Sequence, residues 1–489
     1  MTLRLAAVGS AAVMLGLVLI GALAAEPATE IRVVLSDSGG CAQVAGELAW
    51  YGDRGQLSTS TGTVNVQLTQ GLPSIAARGC TYSSSRLGAE PTAGYIQYGG
   101  QPYRGRLEFF LGKSGGLVVL NVLPLEDYLL GVVPAEMPAG WDLEALKAQA
   151  VAARTYAVAR MAVKQDDTFD VYNEQSDQVY RGIAGEAERS SQAVRATTGQ
   201  ILIYQGDPIV AYYSSDAGGY TKAGRYEYLQ PVPCPSPESP YNEWHLSLDP
   251  SQLASLAANA GQLLGEVAAV RAINDPVSGH LRELVLVGNT GECAISGNEL
   301  RSTLGLSVMR STRVRLANAE AAATEPWPSS EHWEASKTTP TTLSTVTRQE
   351  WHRLWVAHWS GTRTVKLRKA YVTDGLAISP CLSEVHVVSE GLAPPPAAGS
   401  FAEQAAPAEE TQVTVGAEGI TLVGSGYGHG VGMSQWGAKH LAEQGLSYVQ
   451  ILTHFYTGVE LVWWDGSLAT YTLEPADVHD FYQPFIPRY

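Results

Sequence analysis

The chain has 489 residues, enough for two or three domains of ordinary size, and 45% of them are hydrophobic, so a sizeable core can be buried. Its 48 acidic and 32 basic residues leave a formal net charge of −16, with no basic tract. A field of that sign repels polyphosphate and anionic bilayers, which argues against nucleic acid as a partner.

At the N-terminus, Arg4 precedes an apolar run from Leu5 to Ala25. Ala22-Leu23-Ala24 offers small residues at a cleavable spacing before the polar Glu26. The run is also long enough to span a bilayer, so residues 1–25 read as a signal peptide or an uncleaved anchor. Both imply export to the periplasm or cell wall, with the membrane touched only through this segment. Export makes the five cysteines readable. Cys41 and Cys80 fall in one β-rich region and could close a bridge there, while Cys234, Cys293 and Cys381 leave one thiol over. None stands at CxxC or Cys/His spacing, so neither a metal nor another cofactor is expected.

From Ile31 to about Asn121 the pattern is of short strands separated by Gly, Ser and Asp, with a period of two in runs such as Thr63-Val64-Asn65-Val66-Gln67-Leu68. From Asp142 to about Lys164 it changes to one long helix, rich in Ala and free of Gly and Pro, with Asp142 as its N-cap. Strand character returns from Gln200 to Ser215 and from Glu283 to Gly288. Residues 313–418 read as an insertion, carrying a Thr-rich stretch at 338–347 and a Pro/Ala/Glu-rich stretch at 394–410. Between these, Thr347 to Glu350 form a capping box that predicts a helix presenting Trp351, Trp355 and Trp359 at steps of four, either as a packed apolar face or as a sugar-stacking surface. Residues 31–312 and 419–489 then form the two parts of the main domain. The class is α+β, with mixed sheets packed around the long helix, an active-site cleft and a large inserted region.

Two segments carry chemistry. In the first, Leu123 to Pro138, Glu136 sits among Val132, Val133 and Met137, in a predicted turn bracketed by Pro134 and Pro138. Apolar surroundings hold a carboxyl's proton more tightly, as a general acid needs. On the helix that follows, Lys147 and Arg154 are seven residues apart, on one stripe, where they are either solvated charges or a clamp for a polyhydroxyl or anionic substrate. In the second segment, Gly424 to Ala438, glycine recurs at every second position and the polar groups presented are His429, Ser434 and Gln435. It matches neither G-x-G-x-x-G nor a P-loop, so it is not a phosphate cradle.

Both segments closely resemble the SpoIID/LytB family of bacterial cell-wall proteins. Leu125 to Arg154 is similar to the signature around that family's catalytic glutamate, and Gly426 to Ala438 to its C-terminal signature. Weaker similarity covers Tyr103 to Gly105, Gln178 to Gly182, Ser214-Ser215 with Gly218-Gly219, and Ser296 to Leu306. The resemblance implies a lytic transglycosylase acting on peptide-stripped peptidoglycan glycan strands, with Glu136 as acid and then base. It also implies that Lys147 and Arg154 are site residues, and Ser214, Ser215, His429, Ser434 and Gln435 are the further groups expected to bind the strand. Some members hold zinc ahead of the Gln-x-Tyr-x-Gly stretch, but here Phe169 to Asp177 contain no His or Cys. Two rival readings stand beside it. A hydrolase needs a second carboxylate, for which Asp127 and Asp142 are nearest in sequence. A non-catalytic wall-binding module would stimulate a partner cell-wall amidase, as the LytB branch is thought to do.

Overall fold

The computed structural model describes residues 29–164, 167–317, 409–464 and 466, together with the backbone of four strands between 354 and 381. The apolar run from Leu5 to Ala25 lies outside the described residues, and none of the described helices is long and apolar enough to cross a membrane. The fold is α+β, and the chain divides into two compact units, 1–243 with 425–489, and 244–424.

The first unit opens with the alternating region. It forms β1 (Glu30–Gly39), β2 (Cys41–Gly52), β3 (Gly55–Thr69), β4 (Leu72–Ala77), β5 (Cys80–Ser83), β6 (Arg86–Tyr98), β7 (Gln101–Tyr103), β8 (Arg106–Leu111) and β9 (Leu117–Pro124). With β10 (Val171–Tyr172) they make one mixed sheet in the order β10-β1-β9-β8-β6-β2-β3-β4-β5, with β7 on β6. Several strands are long rather than short, β3 reaching 15 residues. The register rules out the bridge that Cys41 and Cys80 could have closed. Cys41 stands opposite Gln67, Gln67 opposite Ser74, and Ser74 opposite Ser83. Cys80 is therefore three strands and three residues away, roughly 17 Å from ordinary strand spacings. A disulfide tolerates a Cα separation of no more than about 7 Å. Both thiols are exposed and unpaired.

Two helices follow the sheet, α1 (Leu125–Glu136) and α2 (Leu143–Val163). Asp142 caps α2, its side chain accepting the Glu144 N–H at 2.8 Å. Buried residues occur all round α2, and the small side chains of Ala148, Ala150, Ala152, Ala153, Ala157 and Ala159 are fully covered. Small residues on every face let α1, α3 (Glu188–Ala196) and strand Gln200–Tyr204 pack against α2 at once.

The second unit contains α4 (Pro250–Asn259), opened by an Asp249/Gln252 capping box, and α5 (Gly297–Leu304). They accompany an antiparallel sheet of Gly291–Ser296, Leu281–Gly288, Val267–Asn274 and Glu409–Thr414, and another of Trp244–Leu248, Ile420–Gly424 and Val314–Ala317. Leu253, Leu284, Leu286, Leu300 and Leu422 are fully buried in its core. The tryptophan helix expected after Thr347 is not what forms. Leu354–His358 is a strand paired antiparallel with Gly361–Val365. The β-branched and aromatic content of these runs (Trp355, Val356, Thr362, Thr364, Val365) outweighs the capping signal. Trp351 and Trp359 lie outside the described residues, as does the Pro/Ala-rich stretch 394–408.

Back in the first unit, α6 (Gln435–Glu443) and α7 (Tyr448–Phe455) complete the set packed on α2.

Candidate active site

Glu136 is the last residue of α1, not part of a free turn. Pro134 lies in the final turn of that helix and supplies no N–H to the preceding carbonyls, which suits a helix about to stop. The helix is held close to the segment after β10 through Gly131, where a Cβ would stand 2.7 Å from the Tyr180 ring. That closeness brings the Val179 N–H to 2.8 Å from Glu136 Oε1. The Glu136 side chain is half-buried, and burial pushes its carboxyl above the usual range against the pull of the Val179 N–H and the Gln435 amide. The carbonyl end of the α1 dipole acts in the same sense.

The support behind Val179 is buried and polar. Gln178 donates to Ala153 O at 3.2 Å and to the Tyr213 hydroxyl at 3.0 Å, and accepts from the Tyr128 hydroxyl at 3.2 Å. Asp177 pairs with Arg160 at 3.0 Å and accepts from the Tyr156 hydroxyl at 2.9 Å and the Tyr172 N–H at 2.8 Å. A segment anchored at 177 and 178 cannot easily carry its 179 amide away from the carboxyl.

The glycine-rich segment reaches the same place. Met433-Ser434 pairs parallel with Tyr213-Ser214, and Tyr427 bridges Asp216. Gly426, Gly428 and Gly432 all have left-handed φ, and a Cβ on them would lie 2.7 Å from Asp216 O, 2.6 Å from Ser214 Cβ and 2.0 Å from Tyr212 O. The alternating glycines therefore admit the protein's own 212–218 chain, where the sequence suggested a ligand against the backbone. What this docking delivers is Gln435, whose side chain reaches Glu136 and whose Nε2 lies 3.4 Å from Gln149 Oε1 on α2.

The remaining expected site residues separate into groups. Ser434 Oγ accepts from the Gly437 N–H at 3.2 Å and the Ala217 N–H at 3.3 Å, capping α6. His429 accepts the Val431 N–H on Nδ1 at 3.0 Å and lies 3.1 Å from Tyr213 O through Nε2, which fixes a neutral tautomer with the proton on Nε2. Ser214 is buried beside Gly428, its Oγ without a hydrogen-bond partner among the described residues. Ser215 is half-buried and its carbonyl accepts the Trp436 N–H at 3.0 Å.

Lys147 and Arg154 share a stripe, as their spacing implies, but the stripe points elsewhere. At 100° per residue they lie about 160° and 140° around α2 from Gln149, which faces Gln435. Lys147 pairs with Glu144 at 2.7 Å and lies 5.6 Å from the Tyr448 ring. Arg154 is fully buried and forks onto Glu126 at 2.7 and 2.8 Å. The alternative carboxylates are also placed. Asp127 precedes Glu136 by nine residues on α1, about 13 Å along the axis and on the opposite face. Asp142 is occupied as the α2 cap.

Sequence reading missed Gln149, Gln178 and the Val179 amide. The weak Gln178-to-Gly182 similarity was the available signal, but nothing local shows that a backbone N–H there serves a carboxyl 43 positions away.

Residues 113–204 match the family described as Stage II sporulation protein, SpoIID. The chain is 28% identical over 407 residues to the amidase enhancer of Bacillus subtilis (strain 168), covering 82% of this chain and 50% of that protein. It is 25% identical over 365 residues to stage II sporulation protein D of Bacillus amyloliquefaciens (71% of this chain, 77% of that one), and 32% identical over 205 residues to the Bacillus subtilis (strain 168) protein of the same name (38% and 59%). This chain thus spans about half the length of the amidase enhancer. The matched region holds Glu136 and its Val179 donor, and these matches support the SpoIID/LytB family as the one this chain resembles.

Proposed function

We propose that the protein acts outside the cytoplasmic membrane and cleaves peptidoglycan glycan strands as a lytic transglycosylase, with Glu136 as its one acid and base. The observation that carries this reading is the Glu136 carboxyl: half-buried, raised in pKa and anchored through one oxygen by the Val179 N–H, with Asp127 on the opposite face of α1 and Asp142 engaged as the α2 cap. Both classes of two-carboxylate glycosidase place the pair within about 10 Å across the bond, which Asp127 on the opposite face of α1 does not satisfy. A transglycosylase needs only one. Glu136 protonates the glycosidic oxygen as the C1–O bond breaks, and its carboxylate then takes the proton of the same sugar's C6 hydroxyl as O6 bonds to C1. The proton inventory closes, Glu136 is regenerated and no water is consumed.

The test is the mass of the products. From glycan stripped of stem peptides, the exported chain is expected to release fragments one water lighter than hydrolysis products. Fragments at the hydrolytic mass overturn the transglycosylase and favour a hydrolase.

Activity is also expected to survive exhaustive chelation. The stretch Phe169 to Asp177 holds no His or Cys, and two of its three acids, Asp170 and Asp177, are already paired with Arg32 at 2.6 Å and Arg160 at 3.0 Å. Loss on chelation with recovery on zinc is the contrary result.

A second reading has a specific observation behind it, the relative named amidase enhancer. In that reading the chain binds the wall and stimulates a partner amidase without cleaving glycan. Stimulation of an amidase that persists in a Glu136→Gln protein, with no glycan product from either form, identifies it.

A further inference from the structure

Trp141 and Trp436 come together only through the fold. Trp141 closes the Pro138–Trp141 turn, its N–H on Pro138 O at 3.0 Å, between Glu136 and the cap of α2. The Arg189 Nε donates to its carbonyl at 3.0 Å and fixes that turn from α3. Trp436 follows Gln435, the residue whose amide reaches Glu136. The two ring centroids are 4.8 Å apart with the planes at 60°. An edge-to-face pair covers at most one face of one ring, so the pair by itself does not bury both indoles. Both side chains are half-buried rather than sealed in the core.

We propose that Trp141 and Trp436 form a stacking subsite for one pyranose ring of the glycan strand, beside the Glu136 carboxyl. A β-linked aminosugar presents one face of axial C–H groups with its polar groups at the rim, which suits an indole face edged by hydrogen-bonding groups. Lys439 Nζ lies over the Trp436 ring, 5.6 Å from its centroid, held by ion pairs to Glu238 and to Glu443, the latter at 2.6 Å, so a fixed cation adjoins the indole pair and can meet a sugar's polar groups. The proposal rests on the reading of Glu136 as a glycan-cleaving acid and adds the means by which a ring is seated next to it.

The experiment uses the full chain carrying Glu136→Gln, so that bound strand is not consumed, and peptide-stripped glycan as the probe. Adding Trp141→Leu or Trp436→Leu keeps an apolar side chain but removes the flat face, and each is expected to weaken binding roughly tenfold. Folded Leu variants that bind with the parent's affinity overturn the subsite and leave Glu136 untouched. A Glu136→Gln parent that binds no glycan at all overturns the functional reading instead. A measurement that needs no Leu variant is 19F NMR of the parent labelled with 5-fluorotryptophan, with the two resonances assigned through Trp141→Phe and Trp436→Phe. Both resonances are expected to shift as glycan is added. Strand binding that leaves both unmoved refutes the proposal.

Discussion

Glu136→Gln is expected to lower glycan cleavage by at least ~10²-fold while the protein stays folded and still binds the strand. The amide has the shape of the carboxyl, and its oxygen can still accept the Val179 N–H now held at 2.8 Å. What it lacks is a transferable proton. Burial raises the carboxyl above its ordinary value of 4.5, so the folded state favours the protonated form. The linkage follows from that direction. A group raised on folding contributes stability that is fully present below its unfolded pKa and is lost as pH rises through its folded pKa. Above that window the wild type holds an ionised, poorly solvated carboxylate and the Gln protein does not, so the variant should melt no earlier than the wild type at neutral pH. The same shift sets the rate. Cleavage begins with a protonated acid, so activity should fall as pH climbs through the raised pKa. A structural Glu136 gives the opposite pattern, with earlier melting and joint loss of binding and turnover. A folded Gln protein that cleaves at the wild-type rate takes Glu136 out of the mechanism and leaves amidase stimulation ahead.

Local signals in this chain translate directly into structure. Asp142 caps α2, a run of 21 residues without Gly or Pro, and the period-two region becomes a β-sheet. Glu136 is legible because its apolar neighbours lie within four residues of it. Long-range placement was not legible. The spacing of Lys147 and Arg154 gives a shared helix face, but not which neighbour that face meets. The alternating glycines announce close approach, yet the approaching group is the chain at 212–218. Trp355 follows a capping box and still lies in a hairpin, because pairing with Gly361–Val365 is a tertiary outcome that propensity alone does not decide. The donor to Glu136 is a main-chain amide, and amides carry no residue-type signature.

Glu126→Ala is expected to destabilise the first unit by about 3–5 kcal/mol, through the cation it strands. Arg154 is fully covered, while Glu126 is 35% exposed. The guanidinium also donates to Gln200 O at 3.2 Å and Val194 O at 3.4 Å, and Glu126 accepts the Gly199 N–H at 3.2 Å. One ion pair therefore joins α1, α2, α3 and the strand from Gln200. Without Glu126 the charge has only carbonyl dipoles left. Without Arg154 the remaining carboxylate is reachable by water, so Arg154→Met should cost less than Glu126→Ala despite removing the larger side chain. Arg154→Lys should not restore stability, since an ammonium cannot make the two-pronged contact. Lys147→Ala breaks a partly exposed pair with Glu144 and a long contact with the Tyr448 ring, and should cost less than about 1 kcal/mol. Urea denaturation of the four variants orders them. A clamp that grips substrate predicts the reverse pattern: Arg154→Met and Lys147→Ala would both fold as the wild type does and both lose glycan affinity. The two cations that look alike on one stripe would then act alike, whereas burial and partner geometry lead us to expect a structural role for Arg154 and little effect of Lys147 on the fold.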